Sequence, residues 1–383
     1  MKQFFRLLTG IFCAFFLVIP LFCGMAEAQE ISVSAQSAVL ISADTSAVLY
    51  EKNAGQQLSM ASTTKIMTAL LALEEAERSG DAVVSITAEM VAVEGSSMGL
   101  QAGNEITLTN LAAGMLLASG NDAANAVALY LSGTQEKFAD RMNRRAKELG
   151  MKNTHFVTPS GLDDDEHYST AYDMALLAQE ALKNESFRKL CSSSTYQVTF
   201  QEPEQKISYT NHNKLLRFYK GCIGVKTGFT KKSGRCLVSA AERDGVTLIA
   251  VTLNAPDDWN DHMAMLDYGF SRMKCVSFDG SDFSAEVPLV GADQQSIRVR
   301  GGQGGEVPLP IEEADQVTCR VLLPAFCYAP VQKGERLGRL QYYLGDSPVY
   351  SVPIFAEEDI TALPKEPTFW ESLFGQRRKT AHG

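Results

Sequence analysis

The stretch from residue 223 to residue 254 reads IGVKTGFTKKSGRCLVSAAERDGVTLIAVTLN. Residues 223–230, 236–242 and 246–254 are rich in apolar and β-branched side chains in the manner of strands, and Arg243-Asp244-Gly245 is typical of a tight hairpin turn. The stretch therefore predicts three antiparallel strands, with the second and third joined by the hairpin.

Further elements extend from this stretch toward both ends of the chain. Residues 38–42 and 47–50 form a second predicted hairpin, and residues 62–77 carry apolar side chains at helical spacing. Helical patterns continue to about residue 186, and another helix is expected at residues 261–273. The predicted fold is α/β: an antiparallel sheet flanked by helices, with a helical subdomain inserted into it.

The two ends of the chain differ from this central part. Residues 1–28 have a basic start, an apolar run and a final Ala26-Glu27-Ala28, which is typical of a cleaved export signal. The α/β domain is expected at residues 29–275, and a small all-β domain with Gly-rich and Pro-rich turns at residues 276–360. Residues 361–383 are left as a tail.

The tail has the composition of a short amphipathic helix. Its aromatic and aliphatic side chains at helical spacing precede a basic cluster: Phe369, Trp370, Leu373 and Phe374, then Arg377, Arg378 and Lys379. Such a helix lies in a membrane surface. We therefore expect an exported protein at the outer face of the membrane or in the cell wall, with the tail as its membrane contact.

Composition and charge exclude several classes of protein. The chain has 383 residues, 45% hydrophobic and 21% charged, which suits two folded domains and excludes a disordered chain. Its net charge of -10 argues against nucleic acid as a partner, because clustered Lys and Arg supply most of that affinity.

Neither a metal nor a cofactor is expected. No C-x-x-C pair occurs, and the histidines show neither H-x-H nor H-E-x-x-H spacing. The cysteines that follow the export signal are Cys191, Cys222, Cys236, Cys275, Cys319 and Cys327. Their redox state is left open, with a disulfide between Cys222 and Cys236 as one hypothesis.

Ser62-Thr63-Thr64-Lys65 opens the apolar helix. Three residues make nearly one helical turn, so the hydroxyl of Ser62 and the amine of Lys65 share a face and can meet. Lysine has an ordinary pKa of about 10.4, so a basic role for Lys65 at neutral pH requires burial and a second cation nearby. An N-cap serine followed by a surface lysine is the simpler alternative.

Two later motifs contain groups that fit beside this pair. Ser119-Gly120-Asn121 interrupts two apolar helices, where the hydroxyl could relay a proton and the carboxamide could hold a substrate amide. Lys226-Thr227-Gly228 lies on a predicted strand, and its lysine supplies the second cation. Helix capping and a solvent-exposed lysine are the alternatives for these two motifs.

The three motifs in this order resemble the active-site signature of penicillin-binding proteins and serine β-lactamases. Residues 37–51, 60–74, 97–126, 156–178 and 211–230 are more specifically similar to low-molecular-weight D-alanyl-D-alanine carboxypeptidases. The resemblance covers residues 31 to 275 and implies a β-lactamase-like or transpeptidase-like fold. It also implies release of the terminal D-alanine from peptidoglycan stem peptides, and acylation by β-lactam antibiotics.

The resemblance assigns roles to the catalytic residues. It implies Ser62 as the acylated nucleophile, Lys65 as its base and Ser119 as the group that passes a proton to the leaving D-alanine. The backbone N–H groups of Ser62 and Phe229 are implied as the oxyanion hole. No metal and no cofactor take part.

The resemblance also assigns roles in substrate binding. Asn121 is expected to hold the substrate amide, Lys226 and Thr227 to bind the terminal carboxylate, and Gly228 to let the substrate backbone approach. Some members of the family have histidine at the position of Phe229, so a side-chain role there is not carried over.

Other functions remain open at this point. Glu180 and Asn184 match part of the E-x-x-L-N pattern of deacylating β-lactamases, but Lys183 stands where leucine is expected, so we interpret Glu180 as a solvated helix residue. His212 is a candidate base for a serine–histidine–aspartate triad, although Asn211-His212-Asn213 is more simply a polar loop. A β-lactamase, an endopeptidase or a non-catalytic wall-binding protein are the alternatives.

Overall fold

The computed structural model describes residues 31–364. The predicted export signal and the tail from residue 365 onward lie outside the described residues. The strands in this range are β1 (Ser37–Ser42), β2 (Val48–Lys52), β3 (Val83–Ser85), β4 (Glu105–Thr107), β5 (Thr195–Glu202), β6 (Gln205–Thr210), β7 (Cys222–Thr230), β8 (Gly234–Arg243), β9 (Val246–Leu253), β10 (Met273–Phe278), β11 (Ser284–Val290), β12 (Ser296–Gly301), β13 (Gly305–Pro310), β14 (Val317–Leu322), β15 (Cys327–Tyr328), β16 (Arg336–Leu344) and β17 (Ser347–Ala356).

Helices alternate with these strands along the first two thirds of the chain. They are a 3₁₀ turn (Ala61–Thr64), α1 (Lys65–Ser79), α2 (Ala88–Val91), α3 (Leu108–Leu117), α4 (Asn121–Ser132), α5 (Gln135–Glu148), α6 (Ala171–Ala181), α7 (Glu185–Ser192), α8 (Leu215–Phe218), α9 (Asp258–Phe270) and α10 (Ile311–Ala314). Among the described residues, none of these helices is long and apolar enough to cross a membrane.

A five-stranded antiparallel sheet forms the centre of the α/β part, in the order β2-β1-β9-β8-β7. β1 is buried along its whole length and β9 nearly so, which requires cover on both faces of the sheet. Helices α6 and α9 both pack against β9 and supply cover. This confirms the predicted antiparallel sheet flanked by helices.

The hairpin between β8 and β9 forms where the sequence predicts it. Asp244 and Gly245 have φ of +49° and +76°, the left-handed values that a two-residue type I′ turn requires at both positions. Arg243 pairs with Val246 on either side of the turn, which fixes the register of the two strands.

The inserted region is less purely helical than the sequence predicts. It contains a four-stranded antiparallel sheet in the order β3-β4-β5-β6. β3 and β4 have three residues each, too few to show a period of two in the sequence. The expectation of helix up to residue 186 is therefore wrong at these two strands.

The serine motif begins in a 3₁₀ turn, and the α-helix starts three residues later than predicted, at Lys65. The N–H of Thr63 donates to the carbonyl of Met60, and Ala61 has a φ of +47°, so the chain enters the helix through a tight bend. A 3₁₀ turn has three residues per turn, so residues 62 and 65 still lie on one side. By contrast, α9 starts at Asp258, three residues before its predicted start at residue 261.

The C-terminal part is built from strands, as predicted, with the short helix α10 between them. β14-β16-β17-β12-β11-β15 form a six-stranded sheet, and β10 pairs with β13. This part has its own apolar core, which includes Val287, Ile297, Val299, Val352 and Ile354. β10 begins at Met273, so this strand runs across the predicted boundary at residues 275–276.

His262 of α9 is fully buried against the central sheet. Its Nδ1 lies 2.5 Å from Oγ of Ser239 and its Nε2 lies 2.9 Å from Oγ1 of Thr252. Burial lowers the pKa of His262 from 6.5 to about 3. The imidazole is therefore neutral in the folded protein at neutral and mildly acidic pH.

We expect His262 to make the fold sensitive to acid. A group with a lowered pKa in the folded state contributes stability above its unfolded pKa of 6.5, and this stability is lost as the pH falls toward about 3. Urea unfolding at pH 7 and pH 5 should show His262→Met losing about 2 kcal/mol less than the unsubstituted chain over this interval. Equal losses in the two proteins would contradict this assignment.

Candidate active site

The hydroxyl of Ser62 and the amine of Lys65 meet in the bend that leads into α1. Nζ of Lys65 lies 2.9 Å from Oγ of Ser62. Lys65 is completely buried, whereas the side chain of Ser62 reaches the surface of a cleft. The pairing that the three-residue spacing predicts is thus present in the structure.

The surroundings of Lys65 favour its neutral form. Its amine also donates a hydrogen bond to the backbone carbonyl of Ser160, at 2.7 Å. Burial lowers the pKa of Lys65 well below its ordinary value, the nearby Lys226 lowers it further, and the carboxylate of Asp122 acts in the opposite direction. A neutral amine at this position can accept the proton of Ser62.

Ser119 and Lys226 form a second hydroxyl–amine pair. Nζ of Lys226 donates to Oγ of Ser119 at 3.0 Å and to the backbone carbonyl of Thr227 at 2.8 Å. Ser119 sits between α3 and α4 with a φ of +59°, a left-handed conformation that is uncommon outside glycine. Lys226 is 1% exposed, and burial lowers its pKa to about 7.

Asn121 lies behind the cleft surface, at the start of α4. Its side-chain Nδ2 donates to the backbone carbonyl of Glu94 at 2.7 Å, and its backbone N–H donates to the carbonyl of Ser96. The carboxamide is therefore held in one orientation. Its oxygen is the group that can accept a hydrogen bond from a substrate amide.

Asp122 is a buried carboxylate that is not among the residues predicted for the site. Its carboxylate accepts hydrogen bonds from the backbone N–H groups of Met98, Gly99 and Leu100 and from the hydroxyl of Ser97. These bonds fasten residues 97–100 to the turn that carries Ser119. An acidic residue directly after the Ser-Gly-Asn motif was the available signal.

β7 passes close to the 3₁₀ turn at Gly228. A Cβ placed on this glycine would lie 3.0 Å from the carbonyl oxygen of Met60 and 3.1 Å from the backbone nitrogens of Ser62 and Thr63. Any side chain here would push the strand and the turn apart. Gly228 thus sets the separation between the serine and the strand that carries Lys226 and Thr227.

One cleft of about 340 Å³ brings the motifs together. Five of the residues predicted for the site line it: Ser62, Ser119, Thr227, Gly228 and Phe229. Lys65, Asn121 and Lys226 are buried directly behind this surface. The remaining lining residues are Ser96, His212, Lys214, Arg235, Asp258 and Trp259.

Arg235 supplies a permanent positive charge that sequence analysis missed. Its Nε and Nη2 donate to Oδ1 of Asp258 at 3.0 and 2.8 Å, and its guanidinium lies 5.7 Å from the ring centre of Trp259. Arg235 pairs across β7 and β8 with Phe229, which is 66% exposed. This register opposite Phe229 was the signal that could have identified it.

Two alternative catalytic groups find little support in these contacts. Glu180 forms ion pairs with Arg145 and Lys183 and is not part of the cleft lining, so its surroundings are those of a helix salt bridge. His212 does line the cleft, and burial lowers its pKa. The serine at the cleft has Lys65 as its hydrogen-bonded partner, not His212.

The hypothesis of a disulfide between Cys222 and Cys236 is wrong. Cys222 pairs with Ala241 across β7 and β8, whereas Cys236 pairs with Gly228, so the two thiols lie at opposite ends of the strand pair. All six cysteines of the described part are free. Within residues 31–364, no cluster of three or more His, Cys, Asp or Glu side chains could hold a metal ion.

Family comparisons agree on one type of protein. A family model described as D-alanyl-D-alanine carboxypeptidase matches residues 24–257. A second, described as the C-terminal domain of penicillin-binding protein 5, matches residues 275–362. The two matches together cover residues 24–362 except for residues 258–274, which contain α9.

Curated relatives resemble nearly the whole chain. It is 36% identical over 345 residues to D-alanyl-D-alanine carboxypeptidase DacF of Bacillus subtilis, which covers 87% of each chain. It is 31% identical over 379 residues to D-alanyl-D-alanine carboxypeptidase DacC of Escherichia coli, which covers 94% of each.

Solved structures share the fold. Penicillin binding protein 5 from Haemophilus influenzae superposes with a TM-score of 0.66 at 26% identity and covers 87% of this chain and 99% of that one. The Streptomyces K15 DD-transpeptidase superposes with a TM-score of 0.60 at 33% identity and covers 63% of this chain and 99% of that one.

Removal of the charge on Lys226 should raise the pKa of Lys65, because the neighbouring ammonium disfavours a second one. A pH titration of ¹⁵N-labelled lysine side chains by NMR should show this rise in Lys226→Met. The exposed Lys232, which pairs with Asp165, gives the control variant Lys232→Met, in which the pKa of Lys65 stays unchanged. An unchanged pKa in Lys226→Met would contradict the coupling.

Proposed function

The chain belongs to the D-alanyl-D-alanine carboxypeptidase family, and we propose that it removes the terminal D-alanine from peptidoglycan pentapeptides through an acyl-enzyme on Ser62. The observation that carries this proposal is that two serines at one cleft each form a hydrogen bond with a buried lysine. Ser62 has Lys65 at 2.9 Å and Ser119 has Lys226 at 3.0 Å.

Acylation uses the neutral amine of Lys65. It takes the proton of Ser62 while Oγ bonds to the carbonyl carbon of the penultimate D-alanine. The backbone N–H groups of Ser62 and Phe229 are placed to stabilise the oxygen that becomes negative. The proton then passes through Ser119 to the amide nitrogen, the C–N bond breaks, and the terminal D-alanine leaves.

Deacylation reverses these roles with water as the nucleophile. Lys65 takes a proton from water, the hydroxide adds to the ester carbonyl, and the proton returns to Oγ as the Ser62 ester breaks. A penicillin enters the same first step, because its ring amide is also opened by Oγ of Ser62. The leaving amine then stays attached to the adduct.

The terminal carboxylate is best held by exposed groups at the cleft surface. Thr227 and Arg235 both line the cleft, and a hydroxyl and a guanidinium can each donate hydrogen bonds to a carboxylate. Lys226 is buried and already donates to Ser119 and Thr227, which favours an electrostatic effect over direct contact with the carboxylate. Asn121 would accept from the substrate amide.

We also propose that the protein is exported and acts at the outer face of the membrane. The signal-like residues 1–28 and the basic, aromatic tail support this location. Near residue 364, where the described chain ends, Val290, Phe326, Tyr328 and Leu363 are all about half exposed or more. These apolar side chains adjoin the start of the tail and would face the same lipid surface.

Ser62→Ala should abolish both covalent labelling by a fluorescent penicillin and release of D-alanine from a pentapeptide ending in D-Ala-D-Ala. Mass spectrometry follows both, as the adduct on the protein and as loss of one alanine from the peptide. Ser59→Ala is the matched control, because Ser59 precedes the 3₁₀ turn and its hydroxyl hydrogen-bonds to Asp163, not to Lys65. Release of D-alanine by the Ser62 variant would refute the proposed mechanism.

The adduct lifetime separates carboxypeptidase from β-lactamase function in the same experiment. Glu180 is the candidate deacylating carboxylate, but it forms ion pairs with Arg145 and Lys183. We therefore expect slow deacylation and a long-lived penicillin adduct. Rapid turnover of penicillin would favour a β-lactamase instead.

The double substitution Trp370→Ser and Phe374→Ser should weaken binding to anionic lipid vesicles by more than about tenfold, since each buried aromatic side chain contributes about 1.5 to 3 kcal/mol. Co-sedimentation with vesicles measures this. Val83→Ser changes an aliphatic side chain that is 40% exposed and far from the tail in sequence, and it serves as the control. Undiminished sedimentation of the double variant would remove the tail as the membrane contact.

A further inference from the structure

His167 is a buried histidine that links a loop to the serine segment. Its side chain is 2% exposed, and its Nε2 lies 2.8 Å from Oγ1 of Thr64, the residue directly before Lys65. Its Nδ1 accepts hydrogen bonds from the backbone N–H groups of Val157 and Thr158, at 2.9 and 3.2 Å. Both ring nitrogens are thus engaged.

These contacts define the state of the imidazole. Since Nδ1 accepts from two backbone donors, it carries no proton, and the proton of the neutral ring is on Nε2. Nε2–H therefore donates to the hydroxyl of Thr64. Burial lowers the pKa of His167 to about 4, although Asp163 and Asp164 act in the opposite direction, so the ring keeps this form at neutral pH.

The loop that His167 holds supplies two carbonyl groups to α1. The carbonyl of Pro159 accepts from the hydroxyl of Thr68 at 2.6 Å, and that of Ser160 accepts from the amine of Lys65 at 2.7 Å. At Gly161 the loop lies so close to the 3₁₀ turn that a Cβ would be 1.9 Å from the carbonyl oxygen of Ala61. The loop and the serine segment are in direct contact along this whole run.

We propose that His167 is a positioning residue that holds the Ser160 carbonyl against Lys65 and thereby directs the amine of Lys65 toward Ser62. The inference rests on the proposed acyl-enzyme mechanism. His167 itself touches neither the substrate nor Ser62; it acts through Thr64 on one side and through the loop on the other.

The chemistry of a neutral amine explains why this carbonyl matters. Nζ then has two N–H bonds and one lone pair, and rotation about Cε–Nζ decides where the lone pair points. One N–H donated to the carbonyl of Ser160 fixes that rotation, so that the lone pair can face the hydroxyl of Ser62. A displaced carbonyl would leave the base free to rotate and slow the proton transfer.

Two amide side chains test the two halves of this link separately. The amide oxygen in His167→Asn can replace Nδ1 as the acceptor within the loop but is too short to reach Thr64. The longer His167→Gln can place an N–H near the position of Nε2 and keep the bond to Thr64. Thr64→Val removes the other partner of this bond without changing the loop.

The readout is acylation by a fluorescent penicillin, resolved by stopped flow into the initial binding constant and the rate constant of the chemical step. We expect His167→Asn to lower the chemical rate constant by about tenfold to a hundredfold with an unchanged binding constant. His167→Gln, which keeps the bond to Thr64 but loses the acceptor for the N–H groups of Val157 and Thr158, should also slow this step. Thr64→Val should slow the same step, and its combination with His167→Asn should cost less than the product of the two losses.

His155→Asn is the matched control in the same loop, because the ring of His155 contacts the carbonyl of Glu166 and the ring of Tyr168 instead of Thr64. Its acylation should stay within about twofold of the unsubstituted rate. If His167→Asn does not fold, as judged by its melting temperature, Thr64→Val alone decides the question.

Three results would overturn the inference: an unchanged chemical rate in both His167→Asn and Thr64→Val, a loss confined to the binding constant, or full activity in His167→Asn with loss in His167→Gln. A failure of the proposed function looks different. In that case the unsubstituted protein, like Ser62→Ala, is not acylated at all.

Discussion

Two lysine amines, Lys65 and Lys226, are buried close enough to oppose each other's charge, and this constraint governs the whole site. Burial lowers the pKa of both amines far below that of a solvent-exposed lysine, and the charge of Lys226 lowers the pKa of Lys65 further. The site obtains a base at neutral pH from this arrangement, without a histidine. Each amine in turn has a serine hydroxyl as its neighbour.

Such a pair is stable only where surrounding elements hold both amines in place. Lys65 comes from the start of α1, and Lys226 comes from β7, more than 150 residues later in the sequence. The sheet brings β7 beside the 3₁₀ turn, and Gly228 permits their contact. Backbone carbonyls at Ser160 and Thr227 accept the hydrogen bonds of the amines, so their polar hydrogens are satisfied away from water.

Much of this arrangement could be predicted from the sequence, because the decisive signals are local. The Asp244-Gly245 turn fixes a hairpin, and the spacing of Ser62 and Lys65 fixes a contact in either kind of helical turn. Elements that depend on pairing across the chain were missed. The three-residue strands β3 and β4 are too short to show a period of their own; β4 pairs with the longer β5, and β3 pairs with β4.

The same distinction applies to the site. Arg235 belongs to no motif, and only the pairing of β8 with β7 brings it to the cleft. His167 appears in the sequence as one histidine among five, and its contacts with Thr64 and Val157 exist only in the folded chain. Residues that orient a catalytic side chain are harder to find in a sequence than the catalytic residue itself, because many residue types can make the orienting contacts.

β7 is the terminal strand of the five-stranded sheet, and among the described residues it pairs only with β8. Edge strands usually carry charges, prolines or covering loops that prevent strands of other molecules from pairing with them. In this protein the edge strand contains Thr227, Gly228 and Phe229, and the 3₁₀ turn that carries Ser62 lies beside it. The turn packs against the strand at Gly228 and so covers part of this edge, while the cleft beside the contact is lined by Ser62, Thr227 and Phe229. A single contact thus covers part of an edge strand and places Ser62 beside that strand.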